Sequence, residues 1–88
     1  MVLFFWWGIQ LFNEDGFAIV ELNDKWNFID VNGKLISEPW FDYISYFENG
    51  IANVKLNNKY NFIDIYGKLV SQQWFNSFDE ASDYLINL

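Results

Sequence analysis

The sequence predicts a mainly β fold: a meander of repeated β-hairpins, two and a half 34-residue units long, closed by a C-terminal capping α-helix. Three observations carry this. Residues 12–41 and 46–75 align without a gap and are identical at 17 of 30 positions, the mark of one supersecondary unit copied and stacked. Turn signals recur every eight to twelve residues between short apolar runs, which is hairpin spacing. The last dozen residues abandon that pattern for helical spacing after Ser77-Phe-Asp-Glu80, a capping box.

The elements follow in order. Trp6-Trp7 aligns with Trp40-Phe41 and Trp74-Phe75, so residues 1–11 read as the tail of a preceding, partial repeat. Repeat one spans 12–45. Within it 17–22 (Phe-Ala-Ile-Val-Glu-Leu) is a strand, Asn23-Asp24 a two-residue turn, and 26–31 a second strand. Asn32-Gly33 is a further turn, leaving 34–38 as a short third strand. Repeat two spans 46–76, with strands at 51–56, 59–65 and 68–72. Residues 77–88 form the cap, a helix over about 78–87 with Phe78, Ala81, Leu85 and Leu88 along one face.

The two copies, read against each other, identify an inner face. Ala18, Val20 and Leu22 return as Ala52, Val54 and Leu56, whereas Phe17, Ile19 and Glu21 become Ile51, Asn53 and Lys55. Retention with period two marks Ala18, Val20 and Leu22 as core. A two-residue turn at Asn23-Asp24 sets Val20 opposite Asn27, an amide among apolar groups. A β-bulge at Asn27, repeated at Asn61, would bring Phe28 opposite Val20 instead.

Composition narrows the chemistry. Eighty-eight residues give a small core, and ten Phe, five Trp and five Tyr supply the bulk to fill it. There is no Cys, hence no disulfide, which fits a reducing cytoplasm. Twelve acids against five Lys leave a net charge of −7, with neither Arg nor His. A phosphate-binding surface needs clustered cations, so direct nucleic-acid binding is not expected. An acidic chain is suited instead to a protein partner with a basic surface. Met1–Trp7 lacks the basic start, length and cleavage site of a secretion signal, and Glu14 and Asp15 interrupt any membrane span.

The unit resembles the WG-repeat family. The resemblance rests on the Gly16-Phe-Ala-Ile-Val and Gly50-Ile-Ala-Asn-Val openings, the Lys25-Trp26 and Lys59-Tyr60 pairs, Phe28-Ile29-Asp30 with its copy, and Gly33 with Gly67. Asn27 and Asn61 stand where the family has its namesake Gly, and Tyr60 replaces the Trp in the second copy. The Trp7-Gly8 dipeptide lies in a different register of the repeat. The resemblance implies a bacterial β-hairpin array without a common catalytic activity, so it carries over no catalytic residue.

Candidate sites point away from catalysis. Without His or Cys the usual nucleophile–base pairs are missing. Asp30 and Asp64 each precede a Gly by three residues, where Asp starts a turn by bonding its own backbone. Asp30-Val-Asn32-Gly33 has neither the ligand series nor the closing Glu of a calcium loop, and its copy replaces Asn32 by Tyr66. No enzyme activity, metal or cofactor is expected. Trp40 and Trp74, being repeated, read as packing between repeats. The candidate partner-binding residues are the acids Glu14, Asp15, Asp42 and Glu48, forming a stripe along one loop edge, and the aromatics Trp7, Tyr43 and Tyr46. The leading expectation is a non-catalytic protein-binding module, in its narrowest form a small acidic inhibitor of a basic nucleic-acid-handling protein. Phage antagonists such as anti-CRISPR proteins are analogous in size and charge. The alternatives are a carbohydrate-binding module and a piece of a longer repeat array.

Overall fold

The computed structural model describes the backbone of residues 8–9 and all of residues 16–88. Seven elements follow in chain order: β1 (Gly8–Ile9), β2 (Phe17–Leu22), β3 (Lys25–Asp30), β4 (Tyr43–Ile44), β5 (Ile51–Leu56), β6 (Lys59–Asp64) and α1 (Phe78–Ile86). They build two antiparallel three-stranded sheets, β1-β2-β3 and β4-β5-β6. The partial repeat read over residues 1–11 lies outside the described residues except for β1.

Each hairpin is closed by two residues with positive φ: Asn23 (56°) and Asp24 (66°) in the first, Asn57 (55°) and Asn58 (66°) in the second. Such turns match the twist of the flanking strands, and Asn and Asp tolerate the left-handed region better than most residues. The strands pair without interruption from Leu22↔Lys25 to Phe17↔Asp30, and from Leu56↔Lys59 to Ile51↔Asp64. The third strands expected at 34–38 and 68–72 do not form. Only single bridges tie Leu35 to Ile29 and Leu69 to Ile63. The Asp30 carboxylate explains the interruption by taking the backbone N–H groups of Asn32 and Lys34, both at 2.9 Å. Asp64 repeats this with Tyr66 and Lys68. The outer edge of β3 is nonetheless covered, by Ile36 bonding the Phe28 carbonyl and Phe41 exchanging two bonds with Trp26, so little of it is left open to aggregation.

The expected bulges are absent. Val20 sits opposite Asn27 and Val54 opposite Asn61 in a regular ladder. Both amides are almost fully buried, and hydrogen bonding removes the conflict that the bulge was meant to solve. Asn27 Oδ1 accepts the N–H of Phe28 at 2.7 Å while its Nδ2 donates to the Ser37 carbonyl at 2.8 Å. Asn61 brackets Phe62 and Ser71 in the same way, at 2.7 and 2.9 Å. A buried amide with its partners in place costs little; the same group unpaired would be expensive.

Both faces of the first sheet are buried. Ala18, Val20 and Ile29 occupy one face, with Leu35 and Trp40 packed against them. Ile19 and Phe28 occupy the other and join Ile44, Phe47, Ala52, Val54 and Ile63 of the second repeat in the main core. Ala52, Val54 and Ile63 are the counterparts of Ala18, Val20 and Ile29. The second repeat therefore stacks on the first head to tail, presenting its Ala-Val-Ile head face to the tail face of the unit before it. Phe47 is wedged at the junction, its ring 4.5 Å from Phe28 and 5.2 Å from Phe17. Leu22 and Leu56 are only partly buried, at the ends of their strands, and Ile19, read as a varying outer residue, is in the core.

The cap takes the place of a third repeat. Ser77 Oγ accepts the N–H of Glu80, and Glu80 reaches back to the N–H of Asn76, one residue before the cap itself. Ala81 is fully buried. Phe78 meets Phe62 at 6.3 Å and Tyr84 meets Phe75 at 5.2 Å, which seats α1 on the second sheet. The tail face beneath it carries Asn53 where the first repeat has Ile19, a more polar end to the stack. Leu88, assigned by spacing to the packed face, is exposed beyond the helix end.

Candidate functional site

The segment 42–48 joins the sheets and carries four of the residues singled out in the sequence. It crosses from one sheet to the other because Phe41 still pairs with Trp26 of β3, whereas Asp42 already donates its N–H to Lys55 of β5. Ile44 and Phe47 turn inward, both buried, whereas Tyr43 and Tyr46 are 52% and 57% exposed.

Two grooves open on either side of this segment. One, of about 300 Å³, lies between the sheets and is lined by Ile19, Trp26, Tyr43, Ile44, Ser45 and Tyr46. The other, of about 440 Å³, runs under α1, with Tyr46, Glu48, Asn49 and Asn53 facing Phe78 and Ser82. Tyr46 borders both. Tyr43 and Tyr46 are thus brought together on a shared rim, with Glu48 at the end of the second groove.

Asp42 stands apart from Glu48. Its carboxylate pairs with Lys25, beside the first hairpin turn, through Oδ1, and its Oδ2 accepts the N–H of Asn57 in the second turn at 2.9 Å. The hydrogen bond from Lys25, then that from Asn57, holds this carboxyl below the usual carboxylate range, with the charges of Lys25 and Lys55 adding to the effect. Asp42 is therefore a tie between successive turns. Glu48 exchanges both backbone bonds with Ile51 at the far end of β5. Lys55 and Ile51 are four residue steps apart along the strand, about 13 Å. Asp42 and Glu48 thus share no edge; Glu14, Asp15 and Trp7 lie outside the described residues.

Three side chains relevant to a binding surface escaped the sequence reading. Trp26 was assigned to the repeat motif yet lines the inter-sheet groove. Phe78 was assigned to the packed face of the helix yet is 47% exposed along the second groove. Tyr66 is 79% exposed at a turn tip. The signal that could have found Tyr66 was its counterpart, Asn32, since an aromatic that replaces a turn amide has no place in the repeated core.

Among the described residues no helix is long and apolar enough to cross a membrane. A family model described as WG containing repeat matches residues 8–26 and 28–60. The two matched segments part at Asn27, the buried bracket residue. No curated protein and no solved structure matches the chain.

Proposed function

The chain belongs to the WG-containing repeat family, and from that premise we propose that it is a non-catalytic protein-binding module whose contact surface is centred on the 42–48 segment. The observation that carries this is the exposure of Tyr43 and Tyr46 together on the rim of the inter-sheet groove. Tyr is among the residues that dominate interface energetics, because a rigid ring buries much area at small entropic cost. The net charge of −7 favours a basic partner and a fast, salt-sensitive encounter. A nucleic-acid-handling protein is the partner class which that charge suits, and a phage-encoded antagonist of one is its narrowest form, supported by size and charge alone.

Affinity capture from the source cell, followed by titration of the purified partner, tests the reading. Replacing Tyr43 and Tyr46 together by Ser should weaken binding about 100-fold, the loss of two anchor residues. Raising salt should weaken it further through screening. Unchanged affinity in the double variant would reject this surface.

The groove under α1 supports a second reading. Asn49, Asn53 and Ser82 lie beside Tyr46 and Phe78 there, a mixture of amides, hydroxyl and rings that suits a sugar. A glycan array separates the two: saturable binding to a defined glycan, lost in Asn53→Ala, would favour the carbohydrate reading.

A further inference from the structure

The repeats differ in charge at one cross-strand pair on the tail face. In the second copy Lys55 lies opposite Tyr60, and its Nζ sits over that ring, 5.5 Å from the centroid. In the first copy the same register sets Glu21 opposite Trp26. The neighbour on the other side changes as well: Tyr43 pairs beside Lys55, while Gly8, with no side chain, pairs beside Glu21.

An indole face attracts a cation more strongly than a phenol does. The first copy therefore holds the better acceptor, with the internal cation exchanged for a carboxylate. Among the described residues no lysine lies over Trp26: Lys25 is bound to Asp42, Lys59 to Asn76, and Lys55 to its own tyrosine. Trp26 opens on the inter-sheet groove, whose floor is Ile19 and Ile44 and whose rim is Tyr43 and Tyr46. A flexible aliphatic stem can lie along such a floor while its charged head meets a ring and an acid.

We infer that the Trp26 corner of this groove, beside its cross-strand neighbour Glu21, receives a lysine or arginine side chain from the basic protein partner, in the arrangement that Lys55 and Tyr60 realise internally one repeat later. The inference rests on the protein-binding reading and names what enters the groove. Charge complementarity selects the occupant: the chain is acidic, the Glu21 carboxylate lies across the strand pair from Trp26, and the rings offer negative faces.

The experiment uses a peptide of alternating Lys and Gly, titrated into the full chain while the Trp26 indole N–H resonance is followed, with a Trp26→Phe variant assigning the signal. A lysine-acetylated version of the peptide is the neutral control. Glu21→Lys copies the second repeat and fills the corner from within; Glu38→Lys makes the same charge change on an exposed loop. The expected result is a saturable shift of the Trp26 indole with the charged peptide, absent with the acetylated one. Affinity should fall about tenfold in Glu21→Lys, against about twofold in Glu38→Lys. Because Lys already occupies this register in the second repeat, Glu21→Lys should keep the wild-type amide spectrum, and Glu21→Gln provides a milder variant showing a smaller loss. Equal weakening by the two Lys variants, an equal response to the acetylated peptide, or no indole shift would overturn the inference. If the natural partner binds the Glu21→Lys variant as well as wild type, the corner is excluded while the module reading stands. A partner insensitive to Tyr43 and Tyr46 instead removes the surface on which both rest.

Discussion

Gly67 meets the backbone of Ile36 at the junction of the two repeats: a Cβ added to Gly67 would lie 2.2 Å from the Ile36 carbonyl oxygen. The turn of the second repeat is packed onto the loop of the first with no room for a methyl group. At Gly50 the φ is similarly positive, +82°, but a Cβ there would meet nothing within 4 Å.

This pair of glycines makes a controlled comparison. Gly50→Ala should cost about 1 kcal/mol, the strain of an L-residue in the left-handed region. Gly67→Ala should cost about 3 kcal/mol, because the same strain is joined by a clash with backbone that cannot rotate away. Urea unfolding of the two variants measures the difference, and equal losses would remove the close approach.

The buried amides lead to a second prediction. Asn61→Leu keeps the volume but leaves the Phe62 N–H and the Ser71 carbonyl without their bonds. It should destabilise the chain by about 2–4 kcal/mol, the penalty for buried groups left unsatisfied. Asn61→Asp keeps the acceptor for Phe62 and loses the donor to Ser71, while burying a charge, and should be at least as damaging at neutral pH. Thermal unfolding at two pH values checks both, since Asn61→Asp should recover partly as its carboxyl is protonated.

Asp42 yields the third. Its carboxyl titrates below the ordinary aspartate range in the folded chain because Lys25 and Asn57 bond its charged form. A depressed folded pKa means stability that is present above the unfolded pKa and lost as pH falls through the folded one. The stability gap between wild type and Asp42→Asn should therefore be largest near neutrality and close below about pH 3.8. The pair is exposed, so the gap should be small and should shrink with added salt. A gap that widens on acidification would contradict the assignment.

Much of this was legible before any coordinates. The repeat unit, the Asn23-Asp24 turn, the Ala18–Val20 face and the Ser77 cap are local features, written within a few residues of one another. The candidate surface was partly legible: Tyr43 and Tyr46 were singled out as candidate interface aromatics, and they are exposed together. Trp26 was not, because it entered only as part of the repeat motif, whereas its place on the groove depends on where the next sheet sits. The Asn27 bulge was a reasonable solution to a real conflict, but the true solution was a carbonyl ten residues away.

By itself, then, the sequence determined the period, the hairpins and their turns, and the helix that ends the stack, because backbone dihedrals, strand alternation and capping act over short separations. Only the tertiary structure decided that Asn27 and Asn61 are satisfied in a straight ladder, that Asp42 ties two turns together instead of joining a stripe with Glu48, and that Trp26 borders a groove. Each of these depends on a partner ten or more residues away, brought close when one repeat packs on the next.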